Sequence, residues 1–358
     1  MNAIKELYRV EQLPVLQNRM YATEQEAVEC PKGDVVLVQD NATGLIYNQS
    51  FRPELVQYDQ EYQNEQAVSE SFRLHLEEVS TIFRRHYQNY SLLEIGCGKG
   101  FFLEYLQKLG FEITGADPAY EGRNPRILKK YFTSDLNIRS EGIILRHVLE
   151  HIQHPVSFLK KIAEANKGTG KVYIEVPCFD WISQHRTWFD IFYEHVNYFR
   201  LADFKEIFGT VYEAGHVFGG QYLYAIADLA TLREPVCRTD CQFEFPKDFL
   251  SSVEKYAEKI KKTTVSSIIW GGASKGVIFS VLLQRAGTKA DFVVDINPAK
   301  QGKYVPATGL LVQPYEDIKN KLNRRNADIF IMNSNYSDEI KKITENQFNY
   351  IEVDCCDI

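Results

Sequence analysis

The fold is decided by the stretch Leu92-Leu93-Glu94-Ile95-Gly96-Cys97-Gly98-Lys99-Gly100, which is followed by Ile113-Thr114-Gly115-Ala116-Asp117. An apolar run ends in a Gly-x-Gly-x-Gly turn, an amphipathic segment follows, and a second apolar run ends in an acid. This order predicts a strand, a turn, a helix and a strand. Glycines let backbone N–H groups approach a ligand closely, and Asp117 stands where a ribose diol is usually bound. We therefore expect a nucleotide-type cofactor, in preference to an α/β domain whose glycines make only a tight turn.

A second turn of the same kind lies at Trp270-Gly271-Gly272-Ala273-Ser274-Lys275-Gly276, and the apolar run Phe292-Val293-Val294-Asp295 follows it. Further strands are expected at Ile329–Met332 and Tyr350–Val353. The pattern predicts a second Rossmann-like unit. Two interpretations of its turn remain open: Gly271, Gly272 and Lys275 bind a phosphate or nucleotide of the substrate, or the unit is a structural domain that covers the active site.

The 358 residues are expected to form an α/β protein of three parts. Residues 1–75 are predicted to be a small N-terminal α+β domain with a hairpin across residues 40–43. Residues 76–233 alternate strands and helices, as in a doubly wound sheet, and a helix from about Ser69 to His86 leads into them. Residues 234–358 are predicted to contain a connector and the C-terminal Rossmann-like domain.

Composition excludes several classes of protein. Hydrophobic residues make up 44% of the chain, which is enough for a sizeable core. The formal net charge of −7 argues against a nucleic-acid partner. No apolar run has the length of a membrane span, and the first residues lack the apolar core of a signal peptide. We expect a cytoplasmic protein without membrane contact, either a monomer or a homodimer.

Two histidine clusters are candidates for chemistry. In the first, His147 and His151 are four residues apart and would share one face of a helix. They flank Glu150, but the order differs from the metalloprotease pattern His-Glu-x-x-His, so no metal is expected.

The second cluster is Phe192-Tyr193-Glu194-His195-Val196-Asn197-Tyr198-Phe199. A carboxylate beside a histidine raises the proton affinity of the ring, so the Glu194–His195 pair suits a general base. Tyr193 and Tyr198 add hydroxyl groups. The alternative is an aromatic core segment whose polar ends reach solvent.

The glycine turn resembles the first motif of class I S-adenosylmethionine-dependent methyltransferases. Its third glycine comes one residue earlier than in the dinucleotide pattern Gly-x-Gly-x-x-Gly, and Glu94 precedes it. The resemblance implies S-adenosylmethionine as cofactor and S-adenosylhomocysteine as product. It implies the following cofactor-binding residues: Glu94, Gly96, Cys97, Gly98, Gly100, Asp117, Pro118, Asp135 and His147.

Nearly the whole chain resembles a narrower family, the bacterial C-methyltransferases of nucleotide-linked 4-keto deoxysugars, which carry a C-terminal Rossmann-like domain. The motifs that carry this resemblance are Glu175-Val176-Pro177, Glu194-His195-x-x-Tyr198-Phe199 and Asp295-x-Asn297-Pro298-x-Lys300-x-Gly302-Lys303-Tyr304. The resemblance implies that His195 removes the proton beside the keto group and that the enolate attacks the methyl group. It implies the following further site residues: Glu194, His151, Tyr62 and Tyr193 in catalysis, and Tyr198, Asn197, Gly271, Gly272 and Lys275 in substrate binding.

The chain departs from that family in two places. The family's N-terminal zinc cysteines are missing, since Asp40-Asn41-Ala42-Thr43 stands where a second pair is expected and only Cys30 is near. Phe192 replaces a tyrosine, which removes one hydroxyl group. Three alternative interpretations remain. The enzyme could methylate an oxygen atom of a sugar hydroxyl or of another small acceptor. The chain could also be a non-catalytic binding protein with a cofactor fold, or a nicotinamide enzyme that uses the second glycine turn.

Overall fold

The computed structural model describes residues 4–58, 61–133, 139–237, 242–322 and 327–355. Three β-sheets follow one another along the chain. In the described residues no helix has the length and apolar character that crossing a membrane requires.

The N-terminal sheet has three antiparallel strands in the order β1-β2-β3. They are β1 (Ile4–Pro14), β2 (Lys32–Asp40) and β3 (Ile46–Asn48), with helix α1 (Glu24–Val28) between β1 and β2. The predicted hairpin is therefore present as β2 and β3. Sequence analysis missed β1, in which buried Tyr8 and Val10 alternate with exposed Arg9 and Glu11, because the many charged residues of this strand obscure its two-residue period.

The central sheet has seven strands in the order β6-β5-β4-β7-β8-β10-β9. Strand β10 pairs antiparallel with β8 and with β9, and all other strand pairs of the sheet are parallel. Its strands are β4 (Ser91–Ile95), β5 (Glu112–Ala116), β6 (Ile127–Leu128), β7 (Gly142–Arg146), β8 (Lys171–Pro177), β9 (Val211–Val217) and β10 (Tyr222–Asp228). Its helices are α2 (Glu70–His86), α3 (Phe101–Lys108), α4 (Pro155–Ala165), α5 (Phe179–His185) and α6 (Leu201–Ile207). Strand order reverses between β4 and β7, so ligands are expected outside the carboxyl ends of these strands.

The C-terminal sheet has five parallel strands in the order β13-β12-β11-β14-β15. They are β11 (Ser266–Trp270), β12 (Phe292–Val294), β13 (Val312–Gln313), β14 (Ala327–Ile331) and β15 (Asn349–Glu352). The helices of this part are α7 (Ser251–Lys262), α8 (Lys275–Arg285), α9 (Tyr315–Lys321) and α10 (Ser337–Ile343).

One hydrophobic cluster joins the three sheets. It includes Leu37 of the first sheet, Ile174 of the second and Ile269 of the third. Trp188 stacks on Phe279 of α8 with 5.4 Å between ring centroids and 8° between ring planes. The buried apolar surface that stabilises each sheet is therefore continuous with that of the others.

Candidate functional site

A cavity of about 380 Å³ lies where the three sheets meet. Its wall contains the loop after β4, the loop after β7, part of residues 192–195 and the loop after β11. The following predicted site residues line it: Tyr62, Glu94, Gly96, Cys97, Gly98, His147, His151, His195, Gly271 and Lys275. One cavity therefore contacts both glycine turns.

The first glycine turn has the backbone that its sequence requires. Gly96, Gly98 and Gly100 have φ angles of 75°, 54° and 80°, which favour glycine. A Cβ on Gly96 would lie 2.5 Å from Val148 Cγ2. Asp117 holds the turn, because its Oδ2 accepts a hydrogen bond of 2.7 Å from the Gly98 N–H.

Not every predicted cofactor residue lies in the cavity wall. The buried Asp117 also accepts a hydrogen bond from the Ala119 N–H at 2.7 Å, and neither it nor Pro118 or Gly100 lines the cavity. A Cβ on Gly100 would lie 2.6 Å from Ile127 Cδ1, so this glycine allows packing against β6. Asp135 lies outside the described residues.

Glu94 is a buried acid at the end of β4, and it lines the cavity beside the turn. Burial raises the pKa of Glu94 to about 7, against the opposing effect of Arg146. Its Oε2 has no hydrogen-bond partner in the described chain. A buried acceptor without a partner, next to a glycine turn, fits a cofactor that carries hydrogen-bond donors, as the amino group of S-adenosylmethionine does.

A network of buried ion pairs and hydrogen bonds around Glu175 lies next to the cavity. Glu175 of β8 accepts two hydrogen bonds from Arg146, at 3.1 and 2.9 Å, and one from the Tyr173 hydroxyl at 2.7 Å. His75 Nε2 lies 3.1 Å from Glu175 Oε1. Although burial disfavours the charge, Arg146 and two histidines hold the pKa of Glu175 well below its ordinary value. The sequence motif around Glu175 thus contributes an anchor for Arg146 and the histidines.

His147 does not share a helix face with His151, which corrects the sequence prediction. It has a φ of 52° after β7, and residues 149–151 form a single 3₁₀ turn. Its Nδ1 lies 3.5 Å from Glu150 and its Nε2 lies 3.3 Å from Glu175. Burial favours the neutral ring, but hydrogen bonding to the two carboxylates raises the pKa of His147 to about 9. The ring is therefore cationic at neutral pH.

The Glu194 carboxylate has partners other than His195. It accepts a hydrogen bond of 2.7 Å from the Tyr62 hydroxyl and one of 3.2 Å from Tyr58, and it lies 3.8 Å from His151 Nδ1. Burial raises the pKa of Glu194, and His151 and the tyrosines oppose that shift. Two tyrosines thus fix this carboxylate beside the cavity.

The electrostatics of His195 also differ from the sequence interpretation. Its ring makes no hydrogen bond or ion pair with another described residue, and it packs edge-on against Phe192 and His151, with centroid distances of 4.8 and 4.9 Å. Burial, together with the charges of His151 and His147, lowers the pKa of His195 well below its ordinary value. Sequence adjacency to Glu194 does not bring the two side chains together, so His195 is neutral at neutral pH.

Asn197, which was predicted to bind substrate, joins the two histidine segments and does not line the cavity. Its amide donates hydrogen bonds to the carbonyls of Leu149 and Ile152, at 3.3 and 2.7 Å. The Val196 N–H donates to the Glu150 carbonyl at 2.7 Å. These contacts hold His195 next to the turn that carries His151.

Two predicted tyrosines are core residues. The hydroxyl of the fully buried Tyr193 accepts a hydrogen bond from the Arg52 N–H at 2.9 Å. The Tyr198 hydroxyl bonds to the backbone N–H and carbonyl of Phe192, both at 3.0 Å. Neither lines the cavity, so the structure does not support catalysis by Tyr193 or substrate binding by Tyr198. The aromatic-core alternative describes both.

The second glycine turn contributes to the opposite wall. Gly272 does not line the cavity, and its N–H donates to Asp295 Oδ2 at 2.9 Å. Lys275 lines the cavity, but its ammonium group forms a 3.0 Å ion pair with buried Asp190 and a 2.8 Å hydrogen bond to Gln221. This lysine links the C-terminal sheet to the central part of the chain.

Arg146 and Glu150 line the cavity, and Tyr58 donates a hydrogen bond to Glu194, but no role was assigned to these three residues from the sequence. Glu150 lies between the two histidines of the first cluster, which was the available signal. Tyr58 and Arg146 have no recognisable pattern in the sequence, because their partners are 136 and 29 residues away.

Comparison with known proteins places two family models on this chain. A methyltransferase domain matches residues 61–211, and a C-methyltransferase C-terminal domain matches residues 246–350. No curated protein matches the chain.

Among solved structures, a SAM-dependent methyltransferase from Archaeoglobus fulgidus is 19% identical, with 45% of this chain and 100% of that chain covered and a TM-score of 0.35. A Burkholderia thailandensis 1,6-didemethyltoxoflavin-N1-methyltransferase, solved with S-adenosylhomocysteine, is 17% identical, with 51% and 95% covered and a TM-score of 0.35.

The chain is a class I S-adenosylmethionine-dependent methyltransferase. Its C-terminal part is a C-methyltransferase C-terminal domain.

Proposed function

We propose that this enzyme methylates a carbon atom of a nucleotide-activated keto sugar, with His195 as the base. The observation that carries the proposal is that His195, a neutral and unpaired histidine, lines the cavity. Residues of the first glycine turn line the same cavity. A base that is neutral at physiological pH can accept a proton without first losing one. The C-methyltransferase C-terminal domain supports carbon as the acceptor atom.

Glu94 and the first glycine turn, with Asp117 behind it, would hold the cofactor. When bound, S-adenosylmethionine supplies a methyl group on a positively charged sulfur. His195 takes the proton from the carbon beside the keto group, and the electron pair of that C–H bond forms the enolate. The cofactor would supply its methyl group to the enolate carbon as the S–C bond breaks, so that S-adenosylhomocysteine would leave as product and the proton would stay on His195 as an imidazolium.

Glu150 is positioned to stabilise that imidazolium, because a carboxylate oxygen of this buried residue and a ring nitrogen of His195 lie within 4.8 Å. The nucleotide of the acceptor is proposed to lie beside Gly271 and Lys275, which line the cavity. These residues belong to the turn before α8, and the positive end of a helix dipole favours phosphate.

The test is methyl transfer from ¹³C-methyl-labelled cofactor to a panel of nucleotide-linked 4-keto deoxysugars, with NMR identification of the atom that receives the label. We expect a new carbon–carbon bond, and a rate at least about 100-fold lower in His195→Asn because a positioned base is removed. The exposed His216→Asn variant is the matched control. Label on oxygen, or full activity of His195→Asn, would contradict the proposal.

A further inference from the structure

Glu150, His151 and His195 form a group that the methyl-transfer chemistry does not fully explain. One carboxylate oxygen and one nitrogen from each ring lie within 4.8 Å of one another, and all three residues line the cavity. The residues come from two separate segments, so their convergence is a property of the fold and not of the local sequence.

Two independent features of this group point to a ligand. Glu150 is 1% exposed, and apart from the 3.5 Å ion pair with His147 Nδ1 neither of its carboxylate oxygens has a hydrogen-bond partner in the described residues. His151 Nδ1 lies 3.0 Å from the Glu194 carbonyl oxygen, which leaves Nε2 as the nitrogen available to a ligand. A backbone carbonyl on the second ring nitrogen is the usual partner of a metal-binding histidine, because it fixes the tautomer and the ring orientation.

We propose that Glu150, His151 and His195 bind one divalent transition-metal ion. Two imidazoles and a carboxylate suit Zn²⁺ or Co²⁺ better than Mg²⁺ or Ca²⁺, which prefer oxygen ligands. In a tetrahedral site with ligand bonds of about 2.1 Å, the ligand atoms are about 3.4 Å apart. The three ligand atoms lie within 4.8 Å of one another and all three residues line the cavity, so the proposed ion would face the cavity.

The metal site rests on the geometry of the three side chains alone. Its consequence for catalysis rests on the proposed function: a His195 nitrogen that coordinates a metal cannot accept a proton, so the ion is a reversible inhibitor. The expectation of no metal rested on the position of Glu150 beside the second histidine of the first cluster and on the missing zinc cysteines. The proposed site uses a different set of residues, in which His195 takes the place of His147.

The experiment is a titration of the purified protein with Co²⁺, followed by visible absorption. We expect one ion per chain with the weak bands of nitrogen and oxygen ligands, and binding at least tenfold weaker in Glu150→Gln and in His195→Asn. The exposed His216→Asn is the control and should bind like the wild type. Strong near-ultraviolet charge transfer would indicate a thiolate ligand, such as the exposed Cys355, and would contradict the assignment.

Calorimetry with S-adenosylhomocysteine on the same samples reports on folding and on the cofactor site. If the Glu150→Gln variant binds S-adenosylhomocysteine with the wild-type affinity but no longer binds Co²⁺, the result supports the metal site. Wild-type protein that does not bind Co²⁺, or variants that bind it equally well, would overturn it. Failure to methylate any keto sugar would overturn the proposed function and leave the Co²⁺ result unaffected.

Discussion

At the scale of single residues, the site contains two histidines in opposite charge states. His147 contacts two carboxylates, and hydrogen bonding to them raises its pKa to about 9 despite burial. His195 is partly buried, makes no ion pair with a carboxylate of the described residues, and burial lowers its pKa. The same residue type is therefore cationic at one position and neutral at the other, where we propose that it accepts a proton.

The pH profile of kcat/KM should reflect these two groups. The proposed base His195 is active in its neutral form, and its pKa lies below the ordinary value of 6.5, so we expect activity to be constant near pH 7 and to fall only in more acidic solution. On the alkaline side, His147 loses its charge near pH 9, and a second decline is expected there. His147→Asn should remove the alkaline decline and keep the acid one. An acid decline at or above pH 6.5 would mean that His195 has a carboxylate partner in solution.

Asp117 is expected to be important for cofactor affinity. Asp117→Asn removes the negative charge that holds the Gly98 N–H and that is proposed to bind the ribose. Hydrogen bonds to charged groups contribute about 1.5–3 kcal/mol each, so we expect S-adenosylhomocysteine to bind about 10- to 100-fold more weakly in calorimetry. Asp248→Asn, at a solvent-exposed ion pair with Arg186, is the control. Equal affinities would exclude Asp117 from the cofactor site.

At the scale of elements, the first turn of helix α2 depends on helix α10 of the C-terminal part. Glu339 of α10 accepts hydrogen bonds from the N–H groups of Glu70 and Ser71, both at 3.1 Å, and from the Ser69 hydroxyl. An anion at a helix N-terminus satisfies unpaired donors and interacts favourably with the helix dipole. α2 thus reaches from the C-terminal part to the central sheet.

Glu339→Ala should therefore destabilise the protein measurably. Loss of a capping acceptor costs about 1–2 kcal/mol, and we expect a lower midpoint in urea unfolding monitored by circular dichroism. Lys342→Ala is the matched contrast, because its ion pair with Glu70 is exposed to solvent and contributes little. Equal effects of the two substitutions would show that the cap is not formed in solution.

At the scale of the whole molecule, the cavity exists only because three sheets meet. The sequence was sufficient to predict the two glycine turns, their strands and α2, since these follow from local periodicity and turn chemistry. It selected His195, which lines the cavity, and also Tyr193 and Tyr198, which do not. An alternating aromatic segment has the same sequence pattern whether its hydroxyl groups face a cavity or the core. The hydrogen bonds to the backbone of Arg52 and Phe192 determine that the hydroxyls of Tyr193 and Tyr198 face the core.

The contacts between residues far apart in the chain could not be predicted from the sequence either. Lys275 is a phosphate-binding residue by its motif, yet the fold places it against Asp190, 85 positions earlier in the chain, at 3.0 Å. Glu194 is next to His195 in sequence, yet its carboxylate contacts Tyr62. Long-range pairs of this kind depend on the relative placement of sheets, which no local pattern encodes.

The central claim, that His195 removes a proton beside a keto group, is tested most directly by solvent exchange. The enzyme, with S-adenosylhomocysteine bound, is incubated in D₂O with the nucleotide-linked keto sugar that it methylates, and NMR follows the proton on the adjacent carbon. We predict that wild-type protein replaces this proton with deuterium and that His195→Asn does not, although both bind S-adenosylhomocysteine equally. Exchange at the wild-type rate in His195→Asn would contradict the account.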